Sequence, residues 1–475
     1  MGFSWQIFVD LGLVSIALLL ATLIRTKVRF FQKFLIPNSI TAGFILLPVY
    51  NYLAPALGLE TSGLENLVYH LLSISFIAMS LRKSPGKGAG RRIFSTSVAI
   101  ISQYTLQALV GFGLTFLFIA TILPRLFPSF GFFIPLGFAL GPGQAFAIGS
   151  GWEVPRFGFT GAGSIGLTFG ALGFLWACFG GVFLINFGIR RGWMEKQQIE
   201  RFYQRGARVG VLEAGAEKPV GSRLTTETEA IDTLSYNLGV VLGVYLLSYL
   251  LLKGLTALLS LAGQAGMDLA VNLWGISFVF AAMVALLVRK LLSLVKVDFT
   301  LDNGSLNRIC GVSVDLMVTG SIAAISLVVV SQYWLPILVM STAGGLVAMF
   351  GILALTSRMF DDHQFYRAMM IYGACTGTLT TGLALLRVLD PDFETPVAAD
   401  YMYASGLTFV LVIPMILMIN FPAYGYSTGN QFWYWLTVGI LGAYLVFVVV
   451  FYTLMSRGRA FKNSFLFYRQ VPGKH

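Results

Sequence analysis

Charged residues are scarce in this chain of 475 residues: they make up 11% of the sequence, whereas hydrophobic residues make up 56%. An ordinary soluble protein carries about 25% charged residues, so this composition excludes that class. Cysteine and histidine occur only three times each, and neither shows the spacing of metal ligands or of a disulfide framework. We therefore expect no metal centre, no resident cofactor and no thiol chemistry.

Long apolar runs are abundant, and a helix that crosses a bilayer needs about 20 mainly apolar residues. The first run has no basic segment before it and no small-residue cleavage site after it, which predicts a retained helix and not a signal peptide. The sequence thus predicts an all-α polytopic membrane protein. The predicted spans are residues 5–24, 36–53, 67–81, 93–123, 162–189, 234–252, 269–288, 309–330, 335–356, 401–423 and 432–455.

Two further apolar segments, residues 132–151 and 368–386, are interrupted by glycine, proline and threonine. Backbone that leaves the helical path inside a membrane needs partners from protein, water, an ion or a solute, because lipid offers none. Paired interruptions are typical of a transporter's binding site. We predict that each segment enters the membrane and returns to its own side as a re-entrant hairpin. The alternative is that small residues here simply allow close helix packing.

The residue types in these segments suit an anion and a hard cation. Glycines admit a solute to the backbone, helix N-termini favour a carboxylate, and free carbonyls with threonine hydroxyls can bind sodium. The predicted solute-binding residues are Gly141, Gly143, Gln144, Gly373, Thr376, Gly377, Thr378, Gly382 and Arg387. The predicted ion-binding residues are Thr380, Thr381, Asp315, Asn186 and Asn420.

Several of these residues have a second interpretation. Arg387 could pair with a carboxylate of the solute or could anchor the topology in the cytoplasm. Asp315 lies in a predicted span, where an ionisable group indicates a cation ligand or a proton carrier. Because that span is predicted to begin at Ile309, Asp315 could also be an interfacial residue paired with Arg308. Asn186 and Asn420 lie near helix ends and could instead cap or terminate those helices.

The distribution of basic residues predicts the topology. With the N-terminus outside and the C-terminus in the cytoplasm, all Lys and Arg except Arg125, Arg156 and Lys253 lie inside, as the positive-inside rule expects. A half with five spans and one hairpin crosses the membrane an odd number of times, so the second half is inverted. The predicted units are a first repeat 1–189, a cytoplasmic linker 190–233, an inverted second repeat 234–425, and an extra helix with a basic tail 426–475.

Short motifs resemble the bacterial sodium/glutamate symporter family: Ile36-Pro37, the Gly-Pro-Gly-Gln-Ala sequence from Gly141, the Gly-Phe-Thr sequence from Gly158, and the Gly/Thr-rich residues 373–382. The resemblance covers residues 10–425. It implies a sodium-coupled importer of glutamate or a related acidic amino acid, built as inverted repeats, which forms a homodimer and moves a transport domain against a scaffold. The chain resembles a divergent member, because the better-known members carry histidine in both loops and this chain does not.

One alternative function is a proton- or sodium-coupled carrier of another organic anion, such as a dicarboxylate. In the proton-coupled case Asp315 would be the natural proton site. A channel usually repeats its loops around the pore axis, and an enzyme needs convergent acids, nucleophiles or metal ligands, which the core of neither broken segment contains. The expected partners are an acidic solute, sodium, membrane lipids of a bacterial inner membrane and a second copy of the chain. Nucleic acid is not expected, because the net charge of +11 lies in the loops.

Overall fold

The computed structural model describes residues 5–83, 90–193, 209–212, 215, 220–261, 263–390 and 395–460. These residues form helices, turns and loops, and no β-strand occurs among them. Most of the predicted linker 190–233 lies outside them. The helices are α1 Gln6–Lys27, α2 Arg29–Lys33, α3 Asn38–Pro48, α4 Ser62–Ser80, α5 Gly90–Thr121, α6 Pro142–Gly151, α7 Ala162–Arg190, α8 Thr233–Ser260, α9 Gly263–Gly275, α10 Ser277–Leu294, α11 Asn303–Ala323, α12 Leu327–Gln332, α13 Trp334–Met359, α14 Gln364–Thr376, α15 Leu379–Leu389, α16 Val397–Met418, α17 Phe421–Thr428 and α18 Phe432–Met455.

Eight helical stretches in the described part of the chain are long and apolar enough to cross a membrane. They are α1, α5, α7, α8, α10, α13, α16 together with α17, and α18. The prediction of an all-α membrane protein is confirmed at this level. Three predicted spans are shorter or less apolar than this standard: α3, which continues through the π-helical turn Val49–Leu53, α4 and α11.

The predicted span 269–288 is wrong as one continuous helix. The structure divides it at Ile276, between α9 and α10. The hydroxyl of Tyr69, on α4, donates a hydrogen bond of 2.7 Å to the carbonyl of Trp274 at this break. The hydroxyl of Tyr69, from a distant helix, therefore supplies a hydrogen-bond partner for a carbonyl group at the break.

The boundaries of the predicted span 309–330 are also wrong. Helix α11 begins at Asn303 because Asp302 caps it, with its carboxylate accepting from the backbone N–H of Ser305 at 2.7 Å. The helix ends at Ala323, seven residues before the predicted end. Asp315 therefore lies twelve residues after the first residue of α11, about 18 Å along the axis, and not within two turns of its start.

The helices form two packed groups. The hairpin group contains α5, residues 130–151, α7, α13 to α16 and α18, and the flanking group contains α1, α3, α4 and α8 to α11. Within each group the helices pack mainly against each other, and the two groups meet chiefly where α6 and α7 face α4, α9 and α11. The phenyl rings of Phe76 on α4 and Phe409 on α16 also meet across this boundary, 5.9 Å apart.

The last helix, α18, belongs to the hairpin group. It packs along α5, where the rings of Phe94 and Phe451 lie 5.2 Å apart. Its end is held by the guanidinium of Arg91, which donates to the carbonyl of Met455 at 3.2 Å. Arg457 and Arg459, just after the helix, form ion pairs with Asp361 in the loop that precedes α14. The C-terminal helix is thus tied to the start of the second interrupted segment.

Candidate functional site

The first interrupted segment changes direction at Gly141. This residue has a φ of 104° and a ψ of 170°, a conformation open to glycine and strained for other residues. Before it, residues 135–140 form a π-helical turn, and the N–H of Gly141 donates to the carbonyl of Leu136 at 2.8 Å. Helix α6 then begins with Pro142, whose fixed φ suits a first helical position. The interruption predicted from the sequence is present, and we call Gly141 the first break.

The second interrupted segment folds back on itself. Helix α14 ends at Thr376, Gly377 and Thr378 leave the helical conformation, and α15 begins at Leu379. A methyl group on Gly373 would lie 2.8 Å from the Cα of Gly382, so α14 and α15 pack side by side with no room for a side chain between them. Residues 377–378 are the second break, at the tip of a helical hairpin.

The two breaks meet in space. A Cβ atom on Gly141 would lie 3.4 Å from Oε1 of Gln144 and 3.9 Å from the methyl group of Thr378. Helix α7 lies against both segments, since a Cβ on Gly173 would approach the carbonyl oxygen of Thr376 to 2.4 Å. Residues that are more than 200 positions apart in the sequence therefore line one site.

This site faces the flanking group. A Cβ on Gly143 would lie 2.8 Å from the sulfur of Met317 on α11 and 3.0 Å from Cδ1 of Leu72 on α4. Gln144 is buried, whereas Thr378 is half-buried. The breaks thus lie at the boundary between the two groups of helices and not in the centre of either.

Helix α5 supports both breaks, which the sequence analysis missed. The hydroxyl of Tyr104 donates to the carbonyl of Ala139 at 3.1 Å, and Nε2 of Gln107 donates to the carbonyl of Cys375 at 3.1 Å. Tyr104 and Gln107 are three residues apart and share a face of the helix. The available signal was the polar run from Ser102 to Gln107 in an otherwise apolar span.

The predicted threonines differ in their contacts. The hydroxyl of Thr376 donates to the carbonyl of Tyr372 within α14 at 2.7 Å, while the hydroxyls of Thr378 and Thr381 lie 3.4 Å apart at the start of α15. Thr380 lies in α15, but its side chain is outside the described part of the structure. Arg387 is exposed and lies nine residues after Thr378, about 13 Å along the helix. Arg387 is therefore remote from the second break.

Three predicted ion ligands lie elsewhere. Nδ2 of Asn186 donates to the carbonyl of Val182 in its own helix at 2.8 Å, and Oδ1 of Asn420 accepts from the indole N–H of Trp152 at 2.7 Å. Asp315 is exposed on α11 and accepts a hydrogen bond from the hydroxyl of Ser39. Among the described contacts, none joins these three residues to either break.

A buried ion cluster, also missed by the sequence analysis, holds the start of the second hairpin. Arg367 on α14 and Asp400 on α16 are 1% and 2% exposed and lie 2.9 Å apart. Arg92 on α5 lies 3.3 Å from Asp400 and 3.4 Å from Asp362, and Arg367 is 3.2 Å from Asp362. Two positive and two negative side chains thus join α5, α14 and α16.

The charge state of Asp362, which lies in the loop before α14, follows from its charged neighbours. Burial alone would raise the pKa of Asp362, but the charge and hydrogen bonds of Arg367, with His363 and Arg92 beside it, lower this pKa below its ordinary value. A lowered pKa favours the charged form, so any stabilisation from Asp362 is present at neutral pH and is lost only as the pH falls below about 4.

The site has few ionisable groups and many neutral hydrogen-bonding groups. Within the described residues, no group of three or more His, Cys, Asp and Glu side chains could hold a metal ion. Comparisons of the chain with protein-family models, with curated proteins and with solved structures found no match. The features of the chain that bear on its function are therefore the geometry of the breaks and the motifs within them.

Proposed function

We propose that the protein is a sodium-coupled secondary transporter that imports glutamate or a related acidic amino acid across a bacterial inner membrane. The observation that carries this proposal is the meeting of the two breaks, Gly141 and Thr378, at the boundary between two groups of helices. Interrupted helices that converge from two halves of a membrane protein are typical of a transporter's binding site.

The helix termini at the breaks favour an anionic solute. Helices α6 and α15 both begin at a break, so the positive ends of two helix dipoles lie where the breaks meet. Gln144 and Thr378 add neutral hydrogen-bonding groups beside them. Two carboxylates of one small solute would suit two such termini, which favours an acidic amino acid or a dicarboxylate.

The coupling ion is proposed from chemistry and energetics. The hydroxyls of Thr378 and Thr381 and the carbonyls at the end of α14 are oxygen ligands of the kind that bind sodium in broken transporter helices. Each net positive charge that moves inward gains about 2.3 kcal/mol per 100 mV of membrane potential. Import of an anion with more than one sodium ion would draw on that energy.

The two-group arrangement supports an elevator-type mechanism, in which the hairpin group moves against the flanking group. We further propose that the halves are inverted repeats, that the chain forms a homodimer through the flanking group, and that the N-terminus is outside. The order of elements supports the repeats: in each half a long helix precedes the broken segment, α5 or α13, and another follows it, α7 or α16.

A second candidate is a proton-coupled carrier of another organic anion. It is favoured by Asp315, an exposed carboxylate about 18 Å along α11. In that case Asp315→Asn would abolish coupling to protons and leave solute binding intact. Uptake of a labelled dicarboxylate under a proton gradient, with no uptake of glutamate under a sodium gradient, would favour this candidate over the first.

The test is uptake of labelled L-glutamate into proteoliposomes under an inward sodium gradient, with choline and proton-gradient controls. We expect saturable, sodium-dependent uptake, reduced at least tenfold in Thr378→Val, which removes one hydroxyl at the second break. Thr428→Val is the matched control, because Thr428 is exposed on α17, outside both broken segments, and should transport normally.

Three results would contradict the proposal. Uptake of glutamate driven only by a proton gradient would exclude sodium as the coupling ion. Flux that does not saturate would indicate a channel. No uptake by folded protein under any gradient would exclude glutamate and direct the search to other organic anions.

A further inference from the structure

A groove lies between α16 and α18 at the surface of the hairpin group. Its volume is about 230 Å³, and its lining consists of Ile101 on α5, Leu411 on α16, and Ala443, Tyr444 and Phe447 on α18. Ala443 is exposed, so the groove opens at the surface of the protein. The hydroxyl of Tyr444 already donates to the carbonyl of Leu411 at 2.7 Å, which leaves few polar partners for a water molecule. The groove is therefore suited to an apolar group.

An apolar path leads from the groove to the end of α18. Phe447, Phe451 and Met455 follow one another at intervals of four residues, so they share a face of the helix. The rings of Phe447 and Phe451 lie 4.5 Å apart, and the ring of Phe94 on α5 lies 5.2 Å from that of Phe451. All four side chains are half-buried. Their exposed sides are therefore available to an acyl chain that lies along the path.

Basic residues lie where this path ends. The guanidinium of Arg91 donates to the carbonyl of Met455, and no carboxylate pairs with Arg91 among the described residues. Arg457 and Arg459 follow directly after α18, and both pair with the carboxylate of Asp361. Three positive side chains thus meet one negative side chain among the described contacts. The excess of positive charge favours an anion.

The distance from the basic residues to the groove matches one leaflet of a bilayer. Arg91 precedes Ile101 by ten residues on α5, which is about 15 Å along the helix axis. The hydrocarbon core of a bilayer is about 30 Å thick, so an acyl chain anchored at one surface ends about 15 Å below it. A phospholipid with its headgroup at the arginines would therefore place the end of an acyl chain in the groove.

We propose that the surface formed by α5, α16 and α18 binds an anionic phospholipid, with its phosphate at Arg91, Arg457 and Arg459 and one acyl chain in the groove. Basic pockets between membrane helices on the cytoplasmic side bind anionic headgroups, and the topology predicted from the sequence places this end of α18 in the cytoplasm. The lipid would connect α16 to α18, which contact each other over a small area. The lipid site is independent of which solute the protein carries.

The test measures the melting temperature of the purified full-length protein in a neutral detergent against added lipid. Ligand binding to the folded state raises the melting temperature in a saturable way. We expect a saturable rise with dioleoylphosphatidylglycerol and a much smaller rise with dioleoylphosphatidylcholine, which has the same acyl chains but no net charge. Glycerol 3-phosphate carries the phosphate without acyl chains, and it should give no rise.

Two variants separate the headgroup from the acyl chain. Arg457→Gln removes an exposed charge and should raise the half-saturating concentration of phosphatidylglycerol about fivefold, the effect of one basic residue at an anionic lipid surface. Ala443→Trp would fill the groove and should weaken binding at least as much. Lys290→Gln, which removes an exposed charge from α10, and Val446→Trp, which adds the same ring to α18 outside the groove, are the matched controls. Both controls should keep the wild-type response.

Three results would overturn the inference. Equal responses to phosphatidylglycerol and phosphatidylcholine would show that the protein does not select an anionic headgroup. A full response to glycerol 3-phosphate would show that the arginines bind a free anion and not a lipid. Wild-type affinity for phosphatidylglycerol in either Arg457→Gln or Ala443→Trp would place the lipid elsewhere on the protein. All four substituted positions are exposed, so the variants should fold.

Discussion

Single backbone carbonyls limit how closely the two arms of the second broken segment pack and how closely α7 approaches it. A methyl group on Gly382 would lie 2.6 Å from the carbonyl oxygen of Met370, and one on Gly173 would lie 2.4 Å from that of Thr376. Backbone atoms cannot move aside as a flexible side chain can. These glycines therefore set the separation of the hairpin arms and the distance from α7 to the second break.

At this scale we expect Gly382→Ala to destabilise the protein by about 1–3 kcal/mol, the range for overpacking a close contact, and to weaken solute binding. Gly406→Ala is the matched control, since a Cβ at Gly406 in α16 would meet no atom within 4 Å and alanine favours a helix by about 0.5–1 kcal/mol. The melting temperatures of the two purified variants give the comparison. Equal melting temperatures would mean that the hairpin arms separate more easily than their contacts indicate.

Some residues of the site could be predicted from the sequence, and others could not. Gly141 and Thr378 could be predicted because helix-breaking residues in an apolar run have a local signature. Gln107 could not, because its role depends on α5 lying beside α14, a contact between residues 268 positions apart. Asn420 was predicted to bind an ion because of its position in the second half of the chain. The sequence contains no signal that the indole N–H of Trp152 donates a hydrogen bond to its Oδ1.

At the scale of helices and loops, the main feature is the ion cluster that joins α5, α14 and α16. Arg367 and Asp400 are almost completely buried, so their charges are compensated within the cluster and not by water. Removing one partner of a buried pair leaves an uncompensated charge, which is far more costly than loss of an exposed pair. The cluster therefore fixes where α14 starts relative to its neighbours.

We expect Asp400→Asn to destabilise the protein by about 3–5 kcal/mol, because Arg367 would keep its charge without this carboxylate. Asp361→Asn removes an exposed partner of Arg457 and Arg459, with 54% of its side chain exposed, and should cost less than about 1 kcal/mol. Thermal unfolding of both variants at neutral pH tests the difference. A similar small loss in both would show that water reaches the cluster.

Helix boundaries show the same division between local and distant causes. The capping of α11 by Asp302 has a local signature, since an aspartate directly precedes the helix. The break at Ile276 combines a local signal, Gly275 at the end of α9, with a distant contact, the hydroxyl of Tyr69 on α4, which donates to the carbonyl of Trp274. Because apolar residues continue through the break, hydrophobicity alone predicts one span where the structure has α9 and α10.

At the scale of the whole molecule, the division into two groups of helices is what a moving transport domain requires. The coarse class, an all-α membrane protein, follows from composition alone. The grouping does not, because it depends on which apolar faces pack together, and every long helix here is apolar on most of its surface. In the sequence, the interruptions identified only the two broken segments, which belong to the hairpin group.

We expect a cross-link between the groups to stop transport and a cross-link within one group to leave it intact. The pairs are Phe76→Cys with Phe409→Cys across the boundary, and Phe94→Cys with Phe451→Cys inside the hairpin group, where both ring pairs lie within 6 Å. The native cysteines are replaced by alanine, and uptake is measured before and after treatment with a cleavable thiol cross-linker. Undiminished uptake in the cross-linked first pair would contradict movement of one group against the other.

The attachment of α18 has a consequence for how the protein depends on its lipid. This helix of 24 residues contacts α5 along one side and is otherwise largely exposed, with only 11% of its most apolar window buried. Because both its length and its end are held by the hairpin group, displacement of that group displaces α18 through the acyl chains as well. Under the proposed mechanism, each transport cycle would then move one additional helix through the bilayer. The transport rate would therefore depend more steeply on the viscosity and thickness of the bilayer than in a chain that ends at α17.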